Sequence, residues 1–234
     1  MNEAKISVII PVLNEEKRIV SVLSKLQNNS NLEVIIVDGG SVDNTTEIAQ
    51  TFEKNTDLKL RILETVAGRA NQMNAGAKSA TGEILLFLHA DTQLPDGFEK
   101  WVRSVLDEPR VIAGAFELKI AASVAGIGWV ERAVKWRSQF LQMPYGDQAI
   151  FLKAGTFWEA GGFRELPLME DFELVRRLRR RGKIALVPVA VTTSGRRWQK
   201  LGVLRTTLIN QIIIIAYLLG ISPTRLANWY RSKH

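Results

Sequence analysis

Five apolar residues, Ile84-Leu85-Leu86-Phe87-Leu88, run directly into His89-Ala90-Asp91-Thr92, so an imidazole and a carboxylate stand where a buried strand gives way to a loop. Side chains two apart on an extended chain project to the same side, so His89 and Asp91 can reach one cation or one phosphate together. Open α/β sheets keep their ligands beyond the carboxyl ends of the strands, which is where this pair falls. The structural alternative is a packed strand-end histidine followed by an aspartate that caps the turn through Thr92-Gln93-Leu94-Pro95.

Six other stretches carry side chains of comparable use. In Pro11-Val12-Leu13-Asn14-Glu15-Glu16 the leading strand breaks at a proline; Asn14 suits a helix N-cap and the glutamates suit its first turn. No G-x-G-x-x-G follows that strand, which disfavours a dinucleotide fold. In Val37-Asp38-Gly39-Gly40-Ser41-Val42-Asp43-Asn44, capping can fall to Asp43 or Asn44. Asp38 is then left to accept hydrogen bonds from a ribose or a base N–H, and Gly39 lets a ligand come close. Gly68-Arg69-Ala70-Asn71-Gln72-Met73-Asn74 is a loop-to-helix entry whose N–H groups and guanidinium suit a diphosphate.

Met169-Glu170-Asp171 puts paired acids in a helix's first turn, where they also complement the dipole. Gly146-Asp147-Gln148 is an acid in a loop leading to a strand, and Gly195-Arg196-Arg197-Trp198 sets two arginines ahead of an indole. An arginine pair can balance the negative charge that develops as a phosphate-linked bond breaks.

The elements that must hold these groups follow from hydrophobic spacing. Ile6–Val12, Leu32–Val37, Leu58–Leu63 and Ile84–Leu88 read as strands, and 15–27, 45–52 and 69–79 as the helices between them. Strands apolar on both faces that alternate with helices imply a mostly parallel sheet covered on both sides. Further on, Phe98–Leu106 reads as a helix and Val111–Ile120 as a strand. Residues 121–141 look largely helical, with Trp129 and Trp136 on one side, and Gly146–Leu152 reads as a strand. A short helix over 154–162, a helix over 170–181 and a strand over 184–191 complete one continuous domain of residues 1–200. Residues 201–234 form a C-terminal apolar and basic helical appendage, with a helix over Leu201–Ile221.

With 234 residues and 46% hydrophobic content the chain can bury a substantial core, and the absence of cysteine removes disulfides, thiolate metal sites and thiol nucleophiles. No secretory signal is visible at Met1-Asn2-Glu3-Ala4-Lys5, so a cytoplasmic location is expected. The net charge of +7 is uneven: residues 172–234 hold 13 Lys/Arg against one Asp/Glu, which suggests an anionic partner. The apolar run Ile212–Leu219 is marginal for a span of about 20 residues. An in-plane membrane helix, a dimer-forming helix and a packed core helix all remain open for it. Trp229, Tyr230, Arg231 and Lys233 suit a headgroup interface at the cytoplasmic membrane face.

Taken in order, SVIIPVLNEE, VDGGSVDNT, GRANQMNAG, FLHADT and MEDFELVRRLRRRG resemble the motifs of the family 2 glycosyltransferases, over about residues 6–200. The resemblance implies a GT-A fold and inverting transfer of a sugar from a nucleotide diphosphate donor (UDP-, GDP- or TDP-linked) to a hydroxyl acceptor, with Mg2+ or Mn2+. By that resemblance Pro11, Asn14, Glu15, Asp38 and Gly39 line the nucleotide pocket, and Arg69 and Asn74 flank the base or diphosphate. Asp91 ends the D-x-D metal motif, Asp171 is the general base, and Glu170 orients the acceptor. Asp147 and Gln148 would face the acceptor, Arg196 or Arg197 the leaving diphosphate, and Trp198 would shape the acceptor site. This chain departs from the pattern by placing His89 where the first metal-motif acid belongs, and an imidazole favours Mn2+ over Mg2+.

A lipid or lipid-linked acceptor, peripheral membrane contact through 201–234, or a homodimer would account for the C-terminus. A nucleotidyltransferase that makes nucleotide sugars would want a Gly- and Lys/Arg-rich loop after the first strand, which PVLNEE is not. A non-enzymatic module binding nucleic acid or an anionic membrane leaves Asp38, Asp91 and Glu170-Asp171 without a use; no nucleic-acid partner is expected.

Overall fold

The computed structural model describes residues 3–27, 29 and 31–232, so Met1, Asn2 and Lys233 lie outside the described residues. The β-branched runs form β1 (Ile6–Val12), β2 (Leu32–Asp38), β3 (Lys59–Glu64) and β4 (Ile84–Phe87). They alternate with α1 (Ile19–Ser24), α2 (Thr45–Lys54) and α3 (Arg69–Ser79). There follow β5 (Thr92–Gln93), α4 (Phe98–Leu106), β6 (Val111–Ala121), α5 (Ile127–Phe140), β7 (Phe151–Lys153), α6 (Ala154–Glu159), α7 (Glu170–Arg179) and β8 (Lys183–Ser194). The chain continues through α8 (Arg196–Leu201), α9 (Val203–Leu218) and α10 (Pro223–Arg231).

Among the described residues the strands make one sheet in the order β3-β2-β1-β4-β7-β6-β8-β5. Pairings β1 with β2, β1 with β4, β2 with β3 and β6 with β8 are parallel, and the other three are antiparallel, as a mostly parallel mixed sheet requires. The two faces follow the two-residue period of β1: Ile6, Val8, Ile10 and Val12 enter one core layer with α1 and α4, and Ile9 enters the other with α3, α6 and α7. From β1 the chain turns to β2 and β3 on one side and then crosses to β4 on the other. The carboxyl ends of β1 and β4 therefore flank a crevice that neither crossover fills.

Several elements differ from the expected ones. The helix expected from residue 15 begins only at Ile19, because the N–H groups of Glu15 and Glu16 are taken by Thr45 and Asp43 of the neighbouring loop. Thr92-Gln93 is no turn but a short strand on Thr192-Thr193 of β8. The strand expected over Gly146–Leu152 shrinks to Phe151–Lys153, preceded by a single 3-10 turn over Gly146–Gln148. The helix expected over Leu201–Ile221 is α9, which starts at Val203 because Gly202, at a φ of 79°, separates it from α8, and α8 and α10 are further helices.

Helix α9 buries Thr206, Ile209 and Ile213, while Leu204 and Leu208 remain exposed, and α10 buries Leu226 and Ala227. Ile213 and Leu226 join the same core layer as α7. No helix of the described residues is long and apolar enough to cross a membrane. The face of α5 that carries Trp129 and Trp136 is turned to solvent.

At the opposite end of the sheet from the crevice, the buried carboxylate of Glu33 ties β1, β2 and the turn before β4 together. It accepts hydrogen bonds from Ser7 Oγ at 2.5 Å, Thr81 N at 2.6 Å and Lys5 Nζ at 2.8 Å. Burial alone would raise its pKa, but the bonds from Lys5, Ser7 and Thr81 outweigh that and hold it at about 2. Glu33 therefore contributes stability that is fully present above the ordinary carboxylate range and is lost as pH falls from about 4.5 towards 2. At neutral pH that contribution is about 3 kcal/mol. Glu33→Gln is expected to lose roughly 2–3 kcal/mol of unfolding free energy at pH 7 and to flatten the acid limb of the stability curve. Urea unfolding at pH 7 and pH 3 checks this; equal stability of the two proteins at pH 7 would contradict it.

Candidate active site

At the end of β1 the backbone of Asn14 is left-handed, with φ of 56°. Its N–H donates to Ser41 Oγ and its Oδ1 accepts from Val42 N, both at 2.9 Å. Asn14 is thus no N-cap; it fastens the loop after β1 to the loop after β2. Asp38 is turned inward as well: its carboxylate accepts from Gly40 N at 2.8 Å, Ser41 N at 2.9 Å and Ser41 Oγ at 2.5 Å. The expected ribose ligand thus also closes its own turn, accepting from three donors within three residues. A Cβ on Gly39 would come within 3.1 Å of the Gln72 amide, whose Nε2 donates to Val12 O and Val37 O, each at 2.8 Å. The groups from this side that do line the crevice are Pro11, Val12, Leu13 and Glu15.

The cleft has a volume of about 710 Å³, inside the ~300–1,000 Å³ range of small-molecule sites. Its second wall is the start of α3, where Arg69 Nη1 pairs with Glu170 Oε1 at 3.2 Å. Asn74 does not share that wall. Its amide donates to Phe163 O and accepts from Phe163 N, at 2.8 and 2.9 Å, and so anchors a loop 89 residues away.

His89 and Asp91 enter the cleft from the end of β4. Asp91 O accepts from Ser194 N at 3.0 Å, and the β5–β8 pairing beside it brings Arg196 Nη2 to 4.0 Å from the Asp91 carboxylate. Burial, and then the nearby positive charge of Arg69, push the His89 pKa down to about 3, so the imidazole is neutral and its lone pair is available to a cation. Among the described residues no three His, Asp or Glu side chains are grouped to hold a metal ion by themselves. The chain's own donor set at this point is one carboxylate and one imidazole, and it fits an ion only if a ligand's oxygens complete the shell.

Behind His89 lies Gly146. A Cβ there would stand 2.8 Å from His89 Nε2 and 3.1 Å from Asp171 Oδ2, so only glycine lets the loop, the imidazole and the carboxylate meet. Gly146 N donates to Asp171 Oδ2 and Phe172 N to Asp171 Oδ1, both at 2.7 Å, which orients that carboxylate from behind. Burial raises the pKa of Glu170, opposed by Arg69. Burial likewise pushes Asp147 up to about 6, opposed by Arg137 and reinforced by Asp171 and Asp91. Among the described residues Asp147 Oδ1 is buried without a hydrogen-bond partner, an arrangement that ordinarily marks a strained or functional group.

Gln148 departs from its expected place at the acceptor side. It is fully buried, accepts from Ser138 Oγ at 2.9 Å and Arg137 Nη2 at 3.1 Å, and donates to Phe116 O at 2.8 Å. It braces the Asp147 loop rather than facing a ligand. Trp198 is partly buried, packed against the first core layer. Burial and the charge of Arg69 lower the pKa of Arg197 to about 10, and its guanidinium stacks on Tyr230 at 4.4 Å.

The family model described as glycosyl transferase family 2 matches residues 7–163, more than half of the chain. The chain belongs to glycosyl transferase family 2. It is similar to the poly-beta-1,6-N-acetyl-D-glucosamine synthase of Staphylococcus epidermidis, 39% identical over 93 residues that make up 39% of this chain and 23% of that protein. It is also similar to the poly(ribitol-phosphate) beta-N-acetylglucosaminyltransferase TarS of Staphylococcus aureus, 33% identical over 109 residues, 44% of this chain and 19% of that protein. The chain thus matches less than a quarter of the length of either relative.

Among solved structures, the mannosyltransferase PcManGT from Pyrobaculum calidifontis, in complex with GDP-Man and Mn2+, superposes with a TM-score of 0.68 at 22% identity, over 82% of this chain and 57% of that one. S. aureus TarS 1-349 in complex with UDP-GlcNAc gives 0.64 at 21% identity, over 81% and 58%. At such identities the likeness speaks for the GT-A fold. In this family 2 glycosyltransferase the sequence motifs at Pro11, Glu15, Arg69, His89, Asp91 and Glu170 meet at one cleft. Gln72, Arg137 and Tyr145 escaped the sequence reading, because their roles are hydrogen bonds and stacking with partners that no local spacing announces. Arg137, for example, lies over the Tyr145 ring at 3.4 Å.

Proposed function

We propose that the protein is an inverting glycosyltransferase that moves a sugar from a UDP-, GDP- or TDP-linked donor to a hydroxyl acceptor. The observation that carries this reading is the convergence of Arg69, His89, Asp91 and Glu170, from three separate motifs, on one cleft at the carboxyl ends of β1 and β4. The donor's diphosphate lies towards Arg69 and Arg196, whose guanidinium groups take up the charge of the leaving group. Glu170, ion-paired to Arg69, keeps that side chain on the donor side.

The acceptor hydroxyl approaches Asp171, held by Gly146 N and Phe172 N, with Asp147 beside it. As the acceptor oxygen bonds to the anomeric carbon, its proton passes to the Asp171 carboxylate. The bond to the diphosphate oxygen breaks on the opposite face, and the anomeric configuration inverts. A divalent cation, when bound by Asp91 and His89 together with donor phosphate oxygens, would add positive charge at the leaving diphosphate, and the imidazole favours Mn2+ over Mg2+.

Asp171→Asn is expected to lower turnover by about 10²–10⁴-fold while nucleoside diphosphate affinity stays within about twofold of the parent. Turnover near the parent level would remove Asp171 from the role.

We further propose a lipid or lipid-linked acceptor, reached by peripheral contact with the cytoplasmic face of a membrane. On α5, Trp129, Trp136 and Phe140 are 73%, 56% and 64% exposed, and on α9 Leu204 and Leu208 are 87% and 61% exposed. The two helices meet where Gly126 faces Val203; Arg132 lies over the Trp129 ring at 5.3 Å, and the exposed Arg205 follows Leu204 on α9. Apolar stripes bordered by cations suit an anionic headgroup region, and a cysteine-free chain suits the reducing cytoplasm. In flotation assays the protein is expected to rise with anionic vesicles and not with neutral ones, and the Leu204→Glu/Leu208→Glu variant to remain behind. Failure of the parent protein to float would end the membrane proposal, and a dimer in light scattering would then assign the same face to a second copy.

A further inference from the structure

The third wall of the cleft comes from the C-terminal helix. Ala227, Tyr230 and Arg231 stand at i, i+3 and i+4 on α10 and line the same space as Arg69, His89 and Asp91. The helix is fixed in that place. Ser222 Oγ accepts from Arg225 N at its start, Pro223 opens its first turn, and Leu226 and Ala227 are buried, Leu226 in the core layer it shares with α7 and α3. Its cleft-facing side is fixed too, because the Arg197 guanidinium lies 4.4 Å from the centre of the Tyr230 ring and so couples α8 to α10. Ala227 adds no bulk at the mouth, whereas Arg231 brings a full positive charge to it.

The acids that line the cleft are Glu15, Asp91, Glu165 and Glu170; of these, Glu15 pairs with Arg18, Asp91 with Arg196 and Glu170 with Arg69. Arg231 makes no ion pair with any described residue, and residues 172–234 contain a single acid, Glu173, itself bridged to Arg164 and Arg177. A guanidinium without a protein anion, at the rim of a cleft that already holds Arg69, calls for an anion from the ligand.

We infer that α10 is part of the donor site: Arg231 binds the diphosphate of the nucleotide donor, and Tyr230, clamped by Arg197, is the positioning residue that holds α10 and Arg231 at the cleft. The inference rests on the donor reading above. It moves the end of the chain from an appendage into the substrate-binding surface, and it gives part of the C-terminal positive charge a ligand other than a membrane.

The test uses the full-length chain and isothermal titration with UDP, GDP and dTDP, each beside its nucleoside without phosphates. Arg231→Ala is expected to weaken the bound diphosphate about tenfold and to leave nucleoside affinity unchanged, while Arg231→Lys recovers part of the loss. Tyr230→Ala is expected to weaken the same ligand with no change in far-ultraviolet dichroism. Arg225→Ala, on the exposed side of α10, serves as the control and is expected to match the parent. Unchanged diphosphate affinity in Arg231→Ala, alongside a clear loss in Arg69→Ala, would overturn the inference and leave the donor reading standing. If the parent protein binds none of the three diphosphates, the donor reading falls and the inference falls with it.

Discussion

The crevice between β1 and β4 is the constraint on which the rest of the structure depends. Parallel strands need crossovers, and here the crossover after β1 leads to β2 on one side while the chain later returns to β4 on the other. The carboxyl ends of these two strands consequently point into a gap that no connection can cover. Pro11 to Glu15 leave β1 into that gap, and His89 to Asp91 leave β4 into it. Every other wall is brought to it: α3 with Arg69, α7 with Glu170, and the last turns of α10.

The polar groups around this gap divide into two kinds. Asn14, Asp38, Gln72, Asn74 and Gln148 have their hydrogen bonds met by the protein, and they hold loops at fixed distances from one another. Arg69, His89 and Asp91 line the cleft, with Asp171 and Asp147 beside Gly146 behind His89, and burial and nearby like charge push His89 and Asp147 away from their ordinary ionisation. A buried carboxylate oxygen with no partner among the described residues, as on Asp147, is costly to keep out of water. The supporting groups make that cost tolerable by fixing the loop from behind, through Gln148 and Arg137.

Much of the fold was legible in the sequence because burial imposes a period. β1 spans its expected residues, and α3 and α4 begin and end where their spacing says, since one face of each helix must meet the sheet. The location of the site was legible for the same reason, as strand ends are visible in an apolar run that stops. What each polar side chain does there was less legible. Asp38 and Asn14 read as ligand groups, yet Asp38 bonds within its own turn, Asn14 bonds across to the loop after β2, and Asn74 finds its partner 89 residues on. The two-residue strand β5, too short to show a period, is what draws Arg196 towards Asp91. The helix around the apolar run Ile212–Leu219 was legible as α9, whereas α8, which ends just before the positive-φ Gly202, and α10 are too short or too polar to show an apolar stripe.

The central claim is that the three chain segments around the crevice close on a single nucleotide donor. Hydrogen–deuterium exchange of the parent protein, with and without saturating nucleoside diphosphate, addresses it most directly, because amides that become shielded report where the ligand sits. Slower exchange is expected in residues 12–16, 67–72 and 89–92, with residues 32–35 towards the far end of the sheet unchanged. Protection confined to other surfaces, with the crevice segments exchanging as in the free protein, would contradict it.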